Sequence, residues 1–186
     1  MAEAHAIPDV LVTLANLGRP RRPPGVRAPV TEPVFPDVAG ATGQLSGLAA
    51  GSVTGADLPA LRRLQAFAAE AAVVILAGRI PDPAPLNALA SGSQARLRLV
   101  DSGGTLRQEL LWEDGSSAAQ LTRRLIAELA SLDSTRLREC ARPQCTLLFY
   151  DTTRSRTRRW HAEDPCGWRE RERAHARRAT LTTPNE

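Results

Sequence analysis

The chain has 186 residues, 42% of them hydrophobic, and carries 24 basic residues, all arginine, against 20 acidic ones. That length allows one substantial core, or one domain with a small appendage, while 13 glycines and 14 prolines reserve much of it for loops. No apolar run is long enough to cross a bilayer, and residues 7–17 carry Pro8 and Asp9 and follow Glu3 and His5, so neither a membrane span nor a signal peptide is expected.

Charge is distributed unevenly. Residues 136–178 hold 12 arginines against 6 acidic side chains, whereas residues 1–135 hold 12 against 13. The basic character is therefore local, as in an electrostatic footprint for nucleic acid, although a solvated charged surface has the same composition. Arginine suits phosphate, but a chain without lysine shows a general bias that cannot by itself indicate a ligand.

In chain order, residues 7–17 (IPDVLVTLANL) read as a short helix opened by Pro8 and Asp9 and stopped by Gly18, with a buried strand as the alternative. Residues 19–36 contain six prolines with Arg19, Arg21, Arg22 and Arg27, and read as an extended loop. Loop composition continues from Gly40 to Gly55, with room for one short turn. Asp57 is a plausible N-cap for a helix in which Leu58, Leu61, Leu64, Ala68, Ala71 and Ile75 share one face, ending at Gly78. A short helix is expected at 86–90. A hairpin follows: Arg96 to Leu99 alternate, residues 101–104 turn, and Leu106, Gln108, Leu110 and Trp112 fall on one face. Ser116 or Ser117 caps a further helix with the stripe Ala118, Leu121, Leu125, Leu129 and Leu132.

Residues 1–135 contain no cysteine, one histidine (His5), no phosphate-cradling glycine loop and no grouped carboxylates. No nucleophile and base can be paired there, which favours binding or sensing over catalysis.

Every cysteine lies further on, in the spacing Cys140-x4-Cys145-x15-His161-x4-Cys166. Two close pairs of thiolate and imidazole ligands around a spacer match one tetrahedral structural Zn2+. A disulfide or inert buried thiols are the alternatives. A disulfide belongs to oxidising compartments, and the expected location here is cytoplasmic. His175 competes with His161, but it lies nine residues past Cys166, on the far turns of the same helix. The expected metal ligands are therefore Cys140, Cys145, His161 and Cys166. Four protein ligands would close the site, so a catalytic zinc, and an enzyme, are not expected. Around them, residues 146–150 read as a strand, 151–154 as a turn, 156–160 as a return strand delivering His161, and Cys166-Gly167 as the start of a helix reaching about Arg178. Knuckle, hairpin and ligand-bearing helix make a treble-clef-like arrangement.

The segment resembles the CGNR zinc-finger proteins. The resemblance rests on Arg136-Leu137-Arg138, Cys140, Cys145, Leu148-Phe149-Tyr150-Asp151, Arg154, Arg158-Arg159-Trp160, Cys166-Gly167 and Arg169. His161 stands where the family usually has a third cysteine, and Trp168 where it has asparagine. Upstream, residues 10–17 and Leu86-Asn87-Ala88-Leu89 are similar to the family's N-terminal ABATE domain. The resemblance implies a DNA-binding transcription regulator whose N-terminal domain senses stress, a small molecule or a protein signal. The expected fold is α+β: a mostly helical N-terminal domain with a β-hairpin over residues 1–135 (loop-rich at 19–55), a small treble-clef-like zinc finger at 136–179 and a tail at 180–186. DNA contacts are expected from Arg154, Arg156, Arg158 and Arg159 before the helix, and from Arg169, Arg171, Arg173, Arg177 and Arg178 on it. The alternative is a zinc-stapled protein-interaction scaffold with no direct nucleic-acid contact.

Overall fold

The computed structural model of the protein describes residues 7–20, 30–48 and 52–181. His5, Gly51, the loop arginines Arg21, Arg22 and Arg27, and residues 182–186 of the tail lie outside the described residues. Among the described residues the order is α1 (Asp9–Asn16), α2 (Val38–Gln44), α3 (Leu58–Leu76), α4 (Ala84–Ala90), β1 (Ala95–Asp101), β2 (Leu106–Trp112), α5 (Ser117–Ala130), β3 (Leu137–Glu139), β4 (Leu148–Tyr150) and α6 (Trp168–Leu181). The fold is α+β, with two separate two-stranded antiparallel sheets among the described residues. No helix among the described residues is long and apolar enough to cross a membrane.

The helical core follows from the apolar stripes. Val10, Leu11 and Leu14 of α1 meet Leu61, Leu64, Ala68 and Ala71 of α3 and Leu121 and Leu125 of α5, all essentially closed to water, with Phe35 and Leu45 filling the remaining side. Each leucine so buried is worth about 1.5–3 kcal/mol relative to exposure. Residues 7–17 resolve as helix rather than strand. Where the sequence reads as loop, Asp37 accepts a hydrogen bond from the Gly40 N–H and opens the short helix α2.

Two buried carboxylates hold helix ends from a distance. Asp57 does not cap α3. Its Oδ1 accepts from the Ala118 N–H at the start of α5, and its Oδ2 accepts from the Thr54 N–H and hydroxyl. Glu128 of α5 accepts from the Val10 and Leu11 N–H groups, one with each oxygen, and so serves the first turn of α1. An α-helix leaves its first N–H groups unpaired and its N-terminus partly positive, which is why a carboxylate belongs there. Burial, the leading cause, pushes the Glu128 carboxyl above its ordinary range despite those bonds. Asp57 shows the opposite balance. Burial raises it, but the Thr54 and Ala118 bonds outweigh that and leave it lowered. Ser116 caps α5 itself, its hydroxyl accepting from the Ala119 N–H.

The two sheets sit very differently. In β1–β2 the register pairs Ala95 with Trp112, Leu97 with Leu110, Leu99 with Gln108 and Asp101 with Leu106. Gly103 and Gly104, at φ +65° and +82°, close the turn, a conformation that suits glycine at both central positions. Leu97, Leu99, Leu106 and Leu110 are each at least half exposed. In β3–β4 only three pairs form, Leu137 with Tyr150, Arg138 with Phe149 and Glu139 with Leu148, yet all three residues of β4 are buried. Leu137 and Leu148 belong to the helical core itself. The free edge of β4 is taken by Asn16 at the end of α1, whose amide donates to the Leu148 carbonyl and accepts from the Leu148 N–H.

The return strand expected at residues 156–160 does not form. Arg156 has φ +55°, which breaks an extended path, and the Arg158 N–H goes to the Asp151 carboxylate instead of a neighbouring strand. The partner of β4 is instead β3, on the other side of the Cys140–Cys145 loop.

A candidate metal centre and its surroundings

The β3–β4 turn carries the first ligand pair. Cys140 donates its N–H to the Leu147 carbonyl and Cys145 donates to the Arg142 carbonyl, so the loop curls back with both thiols on its concave side. The second pair arrives from the far strap: the Ala141 N–H is bonded to the Arg159 carbonyl, which brings residues 159–161 against the loop. Cys166 follows on the kinked turn Glu163–Gly167 that leads into α6.

The ligand atoms of Cys140, Cys145, His161 and Cys166 all lie within 4.8 Å of one another. Cys145 Sγ is 3.4 Å from His161 Nδ1. Ligands around a tetrahedral zinc, at its ordinary bond lengths, stand roughly 3.5–3.8 Å apart. The donor set therefore fits one Zn2+ closed by three sulfurs and one nitrogen. Without a cation such a group resists ionisation: burial, with Cys140 and Cys166 adding to it, pushes the Cys145 thiol up to about 12, and burial also raises Cys166. Zn2+ reverses this balance, since a coordinating thiol is held as thiolate. His175 is on the exposed face of α6 and is not part of the cluster.

Three side chains not singled out as site residues by their pattern shape this centre. Arg142, inside the ligand loop, is buried, with Nη1 3.9 Å from Cys166 Sγ and Nε 3.8 Å from the Glu170 carboxylate. Three thiolates and Zn2+ leave one negative charge, and the buried guanidinium offsets it. Asp151, fully buried, accepts from the Thr153 N–H and hydroxyl and the Arg158 N–H, and faces Arg138 at 3.6 Å. Burial raises its pKa, but those donors and the arginine more than reverse this and leave it below the ordinary carboxylate range. It turns the chain from β4 toward the histidine. Arg136 donates to the carbonyls of Asp151 and Thr153 and pins the same turn from outside.

The arginines proposed from sequence separate into groups. Arg158 points inward: its guanidinium bonds the Trp160 and His161 carbonyls and lies over the Phe149 ring at 5.3 Å, so it positions the ligand-bearing strap. Arg156 pairs with Asp133 at 3.3 Å, and Arg154 is exposed. Arg159, Arg171, Arg173 and Arg177, with Trp160, line one cleft of about 300 Å³ between the strap and α6. Arg173 pairs there with Glu170 at 2.8 Å, and Arg171 with Glu163. Arg169 and Arg178 lie on α6 but do not line that cleft. Trp168 opens α6 and is half exposed.

No curated protein matches the chain. The family model of the CGNR zinc finger matches residues 136–179, the stretch that runs from the start of the ligand hairpin into the last turns of α6. With the ligand cluster assembled inside that stretch, residues 136–179 are a CGNR zinc finger, here with a Cys3His site compatible with one structural zinc ion.

Proposed function

We propose that the protein is a DNA-binding regulator in which the zinc finger contacts the phosphate backbone and the helical part preceding it receives a signal, from a small molecule or a protein. The observation that carries this reading is the cleft between strap and α6. Four arginines and one aromatic ring, with a single carboxylate, Glu170, among them, line about 300 Å³ on a finger whose sequence is net basic. Guanidinium groups gathered on one concave surface match phosphate oxygens in charge and geometry. Backbone contact, rather than base readout, is the assignment that such a surface supports. The zinc acts as a closed structural ion, so the role assigned is binding and not catalysis.

Changing Arg159, Arg173 and Arg177 to Ala tests it. Each phosphate contact adds about 0.9 to the slope of log affinity against log salt, so the variant should bind duplex DNA more weakly, with a slope lower by roughly two to three. Unchanged affinity and slope would overturn the reading.

A zinc-stapled scaffold is the second reading, and a specific observation favours it: the finger is tied into the helical core through Leu137, Leu148 and Asn16. Under that reading the arginine variant is silent, whereas zinc removal loosens the whole C-terminal part.

A further inference from the structure

The β1–β2 hairpin has one strongly apolar face, and among the described residues it is left largely exposed, with Arg123 over Trp112 at its base. Register places Ala95, Leu97, Leu99 and Asp101 on the same face as Trp112, Leu110, Gln108 and Leu106. On that face Leu97 is 63% exposed, Leu99 65%, Leu106 68%, Leu110 50% and Trp112 41%. The opposite face is more polar, with Arg96 paired to Glu113 and Arg98 to Glu109, each at 2.7 Å, although Val100 and a 48% exposed Leu111 lie on it too. A two-stranded hairpin alone in water is marginal, and five large apolar side chains in a row on one face are a liability unless something covers them.

We propose that the cover is the same face of a second copy of this chain, stacked antiparallel about a two-fold axis. Two observations select a second copy over an unrelated partner. One is area: the open parts of these five side chains come to about 500 Å², so stacking two such faces removes on the order of 1,000 Å² from water, where specific interfaces begin. The other is charge. Asp101 lies on the apolar face at the turn end of the ladder, and Arg123 of α5 lies over Trp112, 4.6 Å from the ring centre, at the opposite end. Seven residues separate the two ends by roughly 20 Å. Antiparallel stacking therefore sets Asp101 of each copy against Arg123 of the other, twice per dimer, with leucines between. This is the self-complementarity an isologous contact requires. The inference does not rest on DNA binding, but it supplies two fingers per particle.

The test is sedimentation of the full, zinc-loaded chain. Wild type is expected at twice the monomer mass of 20.0 kDa at micromolar concentration. Leu97→Glu together with Leu110→Glu should sediment as monomer with zinc content and helical signal unchanged. Asp101→Arg and Arg123→Asp, each alone, set like charges together at both ends and should weaken association by about tenfold or more. Mixed in equal amounts, those two variants restore both attractive pairs and should form a heterodimer, which a mere folding defect cannot produce. A monomeric wild type, or a mixture no better than its components, overturns the proposal. So does a dimer indifferent to Leu97 and Leu110.

Discussion

The two hairpins form a controlled contrast. The longer one, β1–β2, makes seven pairs and leaves its leucines in water; the shorter, β3–β4, makes three and buries Leu137 and every residue of β4. The number of ladder hydrogen bonds is therefore a poor guide to which sheet is secure. What secures β3–β4 is attachment on three sides: Leu137 and Leu148 enter the helical core, Asn16 completes the open edge, and the metal ligands gather at the turn. β1–β2 is fastened at its base, where Trp112 meets Arg123, and otherwise relies on its own cross-strand pairs. A sheet is as stable as what it packs against.

The strongest way to break the contrast is to remove the metal. Structural zinc contributes apparent free energies of about 10–16 kcal/mol in small finger domains. Chelation, or Cys140→Ser, should therefore abolish hydrogen-exchange protection across residues 137–150 and leave β1–β2 as it was. Next in size, Leu148→Ala opens a cavity where the short hairpin enters the core and should cost about 2–5 kcal/mol in denaturant unfolding. A smaller effect is expected through the support of α1. The Glu128 carboxyl is raised in the folded state above its ordinary 4.5, so its favourable contribution is complete below that value and fades as pH rises through the raised one. Glu128→Gln should flatten this decline in a stability-versus-pH series; an undiminished decline would assign it to another group. Smallest of all, Leu97→Ala in dilute monomer should change unfolding stability by no more than about 0.5 kcal/mol, the range for exposed positions. A loss there comparable to that at Leu148 would erase the difference between the hairpins.

Periodic features could be read from the sequence because they repeat. The stripes Leu61, Leu64, Ala68, Ala71 and Ala118, Leu121, Leu125 report their own faces, and both helices form with those residues buried. Ligand spacing likewise needs only short loops and thiol chemistry. What could not be read depends on single residues meeting across long separations. Nothing local tells that Asp57 will serve Ala118, or Glu128 the start of α1. The arginines show the same limit. Arg158 and Arg159 are neighbours of identical chemistry, yet one bonds the carbonyls of Trp160 and His161 and the other lines the cleft. The missing return strand belongs here too: a positive φ at a non-glycine residue such as Arg156 is imposed by surroundings and leaves no mark in composition. Arg142 had a readable clue in its place between two thiol ligands.

Helix α1 is only eight residues long, too short to hold its shape unaided. It is nevertheless clamped at both ends by other elements: the α5 carboxylate grips its first turn, and its final residue, Asn16, stands in as a missing strand for the finger. Mechanically it is a tie rod. The α5 carboxylate and the β4 edge are thus joined through the two ends of one short helix.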